Sequence, residues 1–275
     1  MQIAGVEISH PDKVLFPKKG ITKADMISYY ERIAPLMLPF LKDRPLTLHR
    51  FPGGINESGF YQKNASDYFP SFIKTIKIET EEGTNTQVLC NDRKSLVYLA
   101  NQGTVAFHIW LSKKDKLRQP DRVVFDLDPF DEDFEKIKEG AKIMRDLLKS
   151  KKNDPSLMTS GKSGLHLYYK LRRGKDFDRV KTLTRDIAEE AEKKEPGLFT
   201  TQLRKDKREG KIFVDYLRNA YAQTAVCPYS LRATEEAGVA TPIEWEELSR
   251  IKSASHYHIE NIFRRTAQLN RNNEE

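Results

Sequence analysis

The stretch RVVFDLDPF, residues 122–130, places the first constraint on what this chain can become. A β-branched and aromatic run of this kind fits a pleated strand buried on at least one side. Side chains alternate along a strand, so Val124, Asp126 and Asp128 share one face while Phe125 and Leu127 share the other. Two carboxylates are thereby held together beside an apolar layer. Such a pair is costly unless a cation sits between the charges, and carboxylate oxygens select hard ions such as magnesium or manganese. A plainer reading is a strand end at which Asp128 caps the next helix and Asp126 faces water. The segment alone leaves both readings open.

The surrounding text is mixed α and β. Residues 22–41 open with Thr22 and Asp25 and repeat Met26, Tyr30, Ile33 and Met37 at helical spacing, which predicts a capped helix interrupted near Pro35. From 46 to 125, LTLHRF, FIKTIKIET, TQVLC, TVAFHIW and the acidic strand are separated by Gly, Asn, Asp and Pro, with a short helix over SLVYLANQ at 95–102. Then come an amphipathic helix over about 131–150, a strand at LHLYYKL, a helix over about 177–194 and a strand at KIFVDYL. Strand, helix, strand, helix, strand from 121 to 217 is the skeleton of a split βαβ sheet with helices on one face. Thr241 before Pro242 predicts a helix start for PIEWEELSRI, and HYHIENIFRRTAQLN predicts a last helix. The fold class is α/β in the α+β sense.

Two further segments bear on the paired acids. TSGKSGLHLYYKL, 159–171, sets a glycine-rich, hydroxyl-bearing turn before a strand that begins at His166. Small residues let backbone amides approach phosphate oxygens, and Lys162 and His166 add charge or hydrogen bonds. It is not a P-loop, because the first glycine of GxxxxGK would fall at Ser156 and the turn leads into a strand. KIFVDYLRN, 211–219, carries Asp215 on an apolar strand, followed by Arg218 and Asn219. A third carboxylate on a neighbouring strand completes a site for two metal ions about 3.5–4 Å apart, as used in phosphoryl and nucleotidyl transfer. Arg232 in QTAVCPYSLRA is a fixed positive fork suited to a triphosphate, or else one half of an ordinary salt bridge. A DxD also ends strands in haloacid dehalogenase phosphatases, but those continue with Gly and then Thr or Val where Pro129 and Phe130 stand here. Glycosyltransferases use DxD too, usually without a later strand-borne aspartate.

With 275 residues, 38% hydrophobic and 32% charged, the composition is that of a globular chain with a substantial core. The longest nearly apolar runs, such as TVAFHIWL, fall short of the roughly 20 residues that a bilayer demands, so no membrane partner is expected. MQIAGVEISHPDK lacks the pattern of a signal peptide, which predicts a cytoplasmic protein. Cys90 and Cys227 stand far apart and read as buried small hydrophobes. The net charge of +7 gathers in RKDKREGK at 204–211 and around Lys13, Lys18, Lys19 and Lys23. Such patches suit a polyanion, although a solvated charged face reads the same way.

Taken together, DLD at 126–128, SGKSGLH at 160–166 and the aspartate of FVDYLRN resemble the three motifs of the archaeo-eukaryotic primase superfamily. HPDKVLFPKKGITKADMISYY, GFYQKN, FHIW and PYSLRA are similar to its end-joining branch, the polymerase domain of bacterial DNA ligase D and its stand-alone archaeal relatives. The resemblance implies one primase-polymerase domain over 1–275, with an RRM-like catalytic unit packed on an N-terminal α/β unit. Residues up to about 70 would bind a DNA end and its 5'-phosphate, and about 71–275 would form the catalytic core. It also implies a template-dependent polymerase of end joining and gap filling that uses two Mn2+ or Mg2+ ions held by Asp126, Asp128 and Asp215. The nucleoside triphosphate would be held by His108, the Ser160–His166 turn with Lys162, Ser163 and Gly164, and Arg232. Ser160 would lie near the ribose 2'-hydroxyl, favouring ribonucleotides. His10, Lys13 and Lys23 would grip the 5'-phosphate of gapped or broken DNA, and Phe60 and Tyr61 would stack on template bases. Three positions depart from the family's text: Ser163 stands where a lysine is common, His10 replaces an asparagine, and His49 replaces a lysine. No KxDG nucleophile signature of a ligase appears in these residues, so a separate ligase and the Ku end-binding protein are implied as partners. Outside the resemblance, the rivals are a DxD metal phosphatase and a silent DNA-end binder.

Overall fold

The computed structural model describes residues 1–80, 83–131 and 133–272. Two short hairpins come first, β1 (Gln2–Ile3) with β2 (Val6–Glu7) and β3 (Val14–Phe16) with β4 (Ile21–Thr22). They lead into helix α1 (Lys23–Leu41), whose start is the expected reciprocal cap between Thr22 and Asp25. Contrary to expectation, α1 is continuous through Pro35 and Pro39. Both prolines are exposed, so the carbonyls that lose their amide partners can turn to water. The opposite face, with Met26, Tyr30, Ile33 and Met37 all buried, holds the helix to the core.

The first sheet is formed by β5 (Pro45–Arg50), β6 (Phe60–Gln62), β7 (Lys74–Thr80), β8 (Gly83–Leu89) and β9 (Thr104–Trp110), with α2 (Arg93–Asn101) between the last two. No sheet boundary falls near residue 70, since β8 pairs with β7 on one side and β5 on the other. The second sheet follows from β10 (Arg122–Asp128), α3 (Phe134–Ser150), β11 (Ser156–Thr159), β12 (Leu165–Lys170), α4 (Phe177–Lys194), β13 (Phe199–Thr200) and β14 (Ile212–Asp215). The chain then returns to the first sheet with β15 (Thr224–Val226) on β9, and to the second with β16 (Thr241–Ile243) on β11. Helix α5 (Ile262–Asn272) comes last. The order of the second sheet is β13-β14-β10-β12-β11-β16, antiparallel except for β13 and β14. The helices α3 and α4 pack on one face, burying Phe125 and Leu127 with Ile137, Met144, Val180 and Ile187. The expected α/β class and a split βαβ sheet with helices on one face are borne out.

Two sequence expectations near the C-terminus are overturned. Thr241–Ile243 is a strand, not a helix start; Pro242 is accommodated because β16 is the edge of its sheet, where a missing N–H costs no ladder bond. The following turn is a 3-10 helix, Trp245–Arg250, capped by Glu244 and Glu247. The last helix begins at Ile262 because residues 256–261 are spent in turns, with Asn261 Oδ1 accepting from the His258 amide. Likewise α3 starts at Phe134, and its cap is Asp133, which accepts from the Lys136 amide; Asp128 is left free of that duty.

Two small clusters join the sheets. Leu111, Val124, Phe177 and Ala225 form one, and Met158, Val226 and Ala240 the other. The joint is fixed by Asp121: its amide donates to the Leu111 carbonyl and its carbonyl accepts from Leu171. Its carboxylate takes both Nη atoms of buried Arg44, at 2.7 and 2.8 Å. Removing one partner would strand a buried charge, so Asp121→Ala should lower the unfolding free energy by about 3–5 kcal/mol. Urea titration should show the loss and its partial recovery in the Arg44→Met/Asp121→Leu pair.

Candidate active site

The pairing of three strands decides the site. Asp126 on β10 lies opposite His166 on β12 and opposite Asp215 on β14. Residues directly opposite share a face, so these side chains form a row on the face away from α3 and α4. Asp128, two residues along β10, joins them on the same face. One carboxylate oxygen from each of Asp126, Asp128 and Asp215 lies within 4.8 Å of the others. Asp126 and Asp215 are each 7% exposed.

Each acid is held differently. Asp126 Oδ1 faces His166 Nε2 at 3.1 Å, and its Oδ2 faces Arg218 Nε at 3.6 Å. Burial pushes this carboxyl up, but His166, Arg218 and Arg232 outweigh it and hold the group below the usual range. Asp215 Oδ1 accepts from the Leu217 amide at 2.8 Å, while Oδ2 faces Arg218 Nε at 3.1 Å. Burial, opposed by Arg218 and reinforced by Asp126, raises it. Asp128 accepts no hydrogen bond among the described residues, and burial with Asp126 and Asp215 beside it pushes its carboxyl up to about 7. Crowded carboxylates, two of which resist ionisation, are the electrostatic signature of a cation site, and oxygen donors of this kind fit magnesium or manganese.

The glycine-rich turn is built around Ser160. Its Oγ accepts from the amides of Lys162, Ser163 and Gly164 at 3.2, 3.1 and 3.0 Å, so the amides expected to face phosphate are turned onto the serine. What the turn presents outward are the exposed side chains of Lys162 and Ser163. Gly164 is a glycine because a Cβ would overlap the Leu127 carbonyl, between the two acids of β10. Arg232 Nη1 donates to the Ser160 carbonyl at 2.9 Å, tying the turn to the segment pinned to α1 by Tyr29 and Tyr30.

Across from the acids, the first sheet contributes an aromatic and imidazole group. Tyr61 stacks on His49 with centroids 4.0 Å apart, and His108 meets Tyr61 edge-on at 5.8 Å. Burial, then Arg232 and Lys162, lower His49 to about 4, and burial with Arg232 also holds His108 well below the usual imidazole range. The buried Nε2 of His108 has no hydrogen-bond partner. Phe60 and Tyr61 are 47% and 60% exposed, which removes core packing as their explanation.

His10, Lys13 and Lys23 line a separate cavity of about 320 Å3 with Arg50, Asn101 and Gln102, and no acid lines it. His10 takes a left-handed φ of 50° in the turn that brings Lys13 back toward it. The first amides of α1 are not free here: Lys23 and Ala24 donate to the carbonyls of Lys13 and Pro11. The positive potential of this cavity therefore comes from side chains and the helix dipole rather than from open N–H groups. Lys23 Nζ donates to Ser9 O and Oγ, both at 2.8 Å, and burial beside Lys13 lowers its pKa to about 8.

Two residues that sequence patterning left without a role belong to this architecture. Arg218 supplies the cation on Asp126 and Asp215. Asn219, fully buried, bonds both the amide and the carbonyl of Val124 and thereby sets the turn that carries Arg218. Arg218 was visible as a basic residue three places after a strand carboxylate; Asn219 gave no signal.

Residues 22–272 match the family described as LigD, primase-polymerase domain. The chain belongs to that family. Among curated relatives, it is 34% identical over 247 residues to the multifunctional non-homologous end joining protein LigD of Mycolicibacterium smegmatis, covering 89% of this chain and 32% of that protein. It is 33% identical over 256 residues to the bifunctional LigD of Bacillus subtilis, covering 92% of this chain and 41% of that one. The chain thus spans about a third to two-fifths of the length of these LigD proteins. A solved structure, the polymerase domain from Mycobacterium tuberculosis ligase D in complex with DNA, superposes with a TM-score of 0.88 and 29% identity, covering 96% of this chain and 94% of that one. The expected family and its fold are borne out. No helix among the described residues is long and apolar enough to cross a membrane.

The charge crowding predicts a stability trade-off. Because Asp128 is raised toward 7 in the fold, the native state binds more protons than the unfolded one between about pH 4 and 7 and loses stability as pH rises through that window. Asp128→Asn should therefore raise the melting temperature in chelator by several degrees at pH 8 and leave it unchanged at pH 4. Differential scanning calorimetry at the two pH values measures this.

Proposed function

We propose that this chain is a template-dependent nucleotidyltransferase of DNA end joining and gap filling. It extends a primer 3'-hydroxyl with nucleoside triphosphates, ribonucleotides preferred, next to a 5'-phosphate. The observation that carries the reading is the pairing of a three-carboxylate cluster, facing an imidazole and arginine wall, with a separate acid-free basic cavity. Asp126, Asp128 and Asp215 would hold two divalent ions, which would supply activation of the attacking hydroxyl and charge stabilisation of the departing pyrophosphate.

The remaining work is positioning. Arg232, Lys162, Ser163 and His108 bring positive charge and donors to the side of the cluster where a triphosphate would lie. His108 is held neutral, and its buried Nε2 has no protein partner, leaving it for a sugar or phosphate group that reaches it on binding. Ser160 keeps one hydroxyl proton to donate while its oxygen organises the turn, and Gly164 lets that turn press against β10. Exposed Phe60 and Tyr61 offer stacking surfaces that tolerate any base. The basic cavity of His10, Lys13 and Lys23, widened by Arg50, takes the 5'-phosphate at the far side of the gap. The exposed Arg204, Lys205 and Lys207, ahead of β14, add attraction for the duplex. A ligase to seal the product and Ku to bring ends together complete the proposed setting.

Asp126→Ala and Asp215→Ala should abolish extension of a gapped, 5'-phosphorylated duplex with manganese while leaving gap binding within about threefold. Normal extension by either variant would sink the mechanism; hydrolysis of a generic aryl phosphate would favour the phosphatase instead. The depressed pKa of Lys23 adds a pH signature. Phosphate binding raises that pKa, so affinity for the 5'-phosphorylated gap should fall by up to tenfold per pH unit above about 8. The slope should be absent for a 5'-hydroxyl gap and flattened in Lys23→Arg, as fluorescence anisotropy from pH 7 to 9.5 would show.

A further inference from the structure

Arg218 stands where a cation shared by Asp126 and Asp215 would have to sit. Its Nε faces Oδ2 of Asp215 at 3.1 Å and Oδ2 of Asp126 at 3.6 Å. The other oxygen of each acid is already engaged, Asp126 Oδ1 by His166 and Asp215 Oδ1 by the Leu217 amide. The two oxygens left for a shared ion are therefore the two that the guanidinium holds. The backbone under Arg218 is fixed, because Asn219 is locked to both polar groups of Val124 and to the Tyr216 carbonyl. The side chain itself is 40% exposed, while the carboxylates are about 10% exposed, so the arginine has an open route away from the cluster and the acids do not.

We propose that Arg218 is a built-in counter-ion that occupies the carboxylate cluster of the resting protein and must be displaced before a divalent ion can bridge Asp126 and Asp215. This rests on the reading of the three acids as a metal site. Without the arginine, the buried carboxylates would face one another supported by His166, the Leu217 amide and Arg232. With it, a divalent ion meets a charge of the same sign at the same oxygens and binds weakly until something else takes the guanidinium. The phosphates of an arriving nucleotide are suited to do so, since arginine and phosphate pair through parallel N–H donors. Arg218 is in this sense a positioning residue that couples ion binding to nucleotide binding, keeping the site from filling without substrate.

The test is direct binding, not turnover. Mn2+ affinity is measured by electron paramagnetic resonance of the free ion, without nucleotide, on the wild type, Arg218→Gln, Arg218→Lys and Asp126→Asn, with circular dichroism confirming the fold. Arg218→Gln should bind Mn2+ at least tenfold more tightly than the wild type and melt several degrees lower in chelator. Arg218→Lys, which keeps the charge, should stay within about threefold of the wild type. Adding a non-hydrolysable nucleotide should tighten Mn2+ binding in the wild type by a larger factor than in Arg218→Gln. Equal Mn2+ affinities for wild type and Arg218→Gln, with Asp126→Asn clearly weaker, would overturn the counter-ion while leaving the metal site standing. Equal affinities for wild type and Asp126→Asn would overturn the metal site itself, and the counter-ion with it.

Discussion

The alignment of β10 between β12 and β14 is the constraint on which the rest of the site depends. Antiparallel pairing places Asp126 between His166 and Asp215. A slip of one residue on either side would send a carboxylate or the imidazole into the helix-covered core. The apolar alternation of Phe125 and Leu127 under α3 and α4 holds that alignment. The same residues that bury the sheet therefore aim its acids.

Around this row, the molecule spends stability on charge. Three buried or half-buried carboxylates are gathered on one face, and the fold offsets them locally with His166 and Arg218. The neighbouring wall is kept from adding charge of its own, because His49 and His108 are held neutral beside Arg232. A compact region in which acids and guanidinium groups alternate beside neutral imidazoles is suited to ligands that bring both cations and phosphates.

Much of this was legible in the sequence where periodicity and chemistry coincide. The strand at RVVFDLD, the capped start of α1 and the helices α3 and α4 follow from local patterns, and the strand-borne acids Asp126, Asp128 and Asp215 were legible as one set although only strand pairing brings them together. Errors came where a local signal had two outcomes that only tertiary packing separates. Pro35 breaks a helix in isolation, yet lies on the solvent side of one held by its opposite face. Thr-Pro at 241–242 opens helices, yet also suits an edge strand. Short strands such as β11 and β15 went unseen because three or four residues carry no measurable period. Ser160 illustrates a subtler limit: the sequence shows a hydroxyl beside glycines, but not that its oxygen gathers the turn's own amides.

The return of β15 to the first sheet bears on how the chain is assembled. β9 is a run of apolar residues, TVAFHIW, and β15 covers its outer edge at His108, Ile109 and Trp110. That cover arrives more than a hundred residues later, after the second sheet's central strands have been made. During synthesis, or in any fragment ending before residue 224, β9 presents an unpaired hydrophobic edge of the kind that recruits other chains. The strand that sets His108 beside His49 and Tyr61 is thus also a segment exposed to misassembly, and its protection depends on the chain's long excursion being completed.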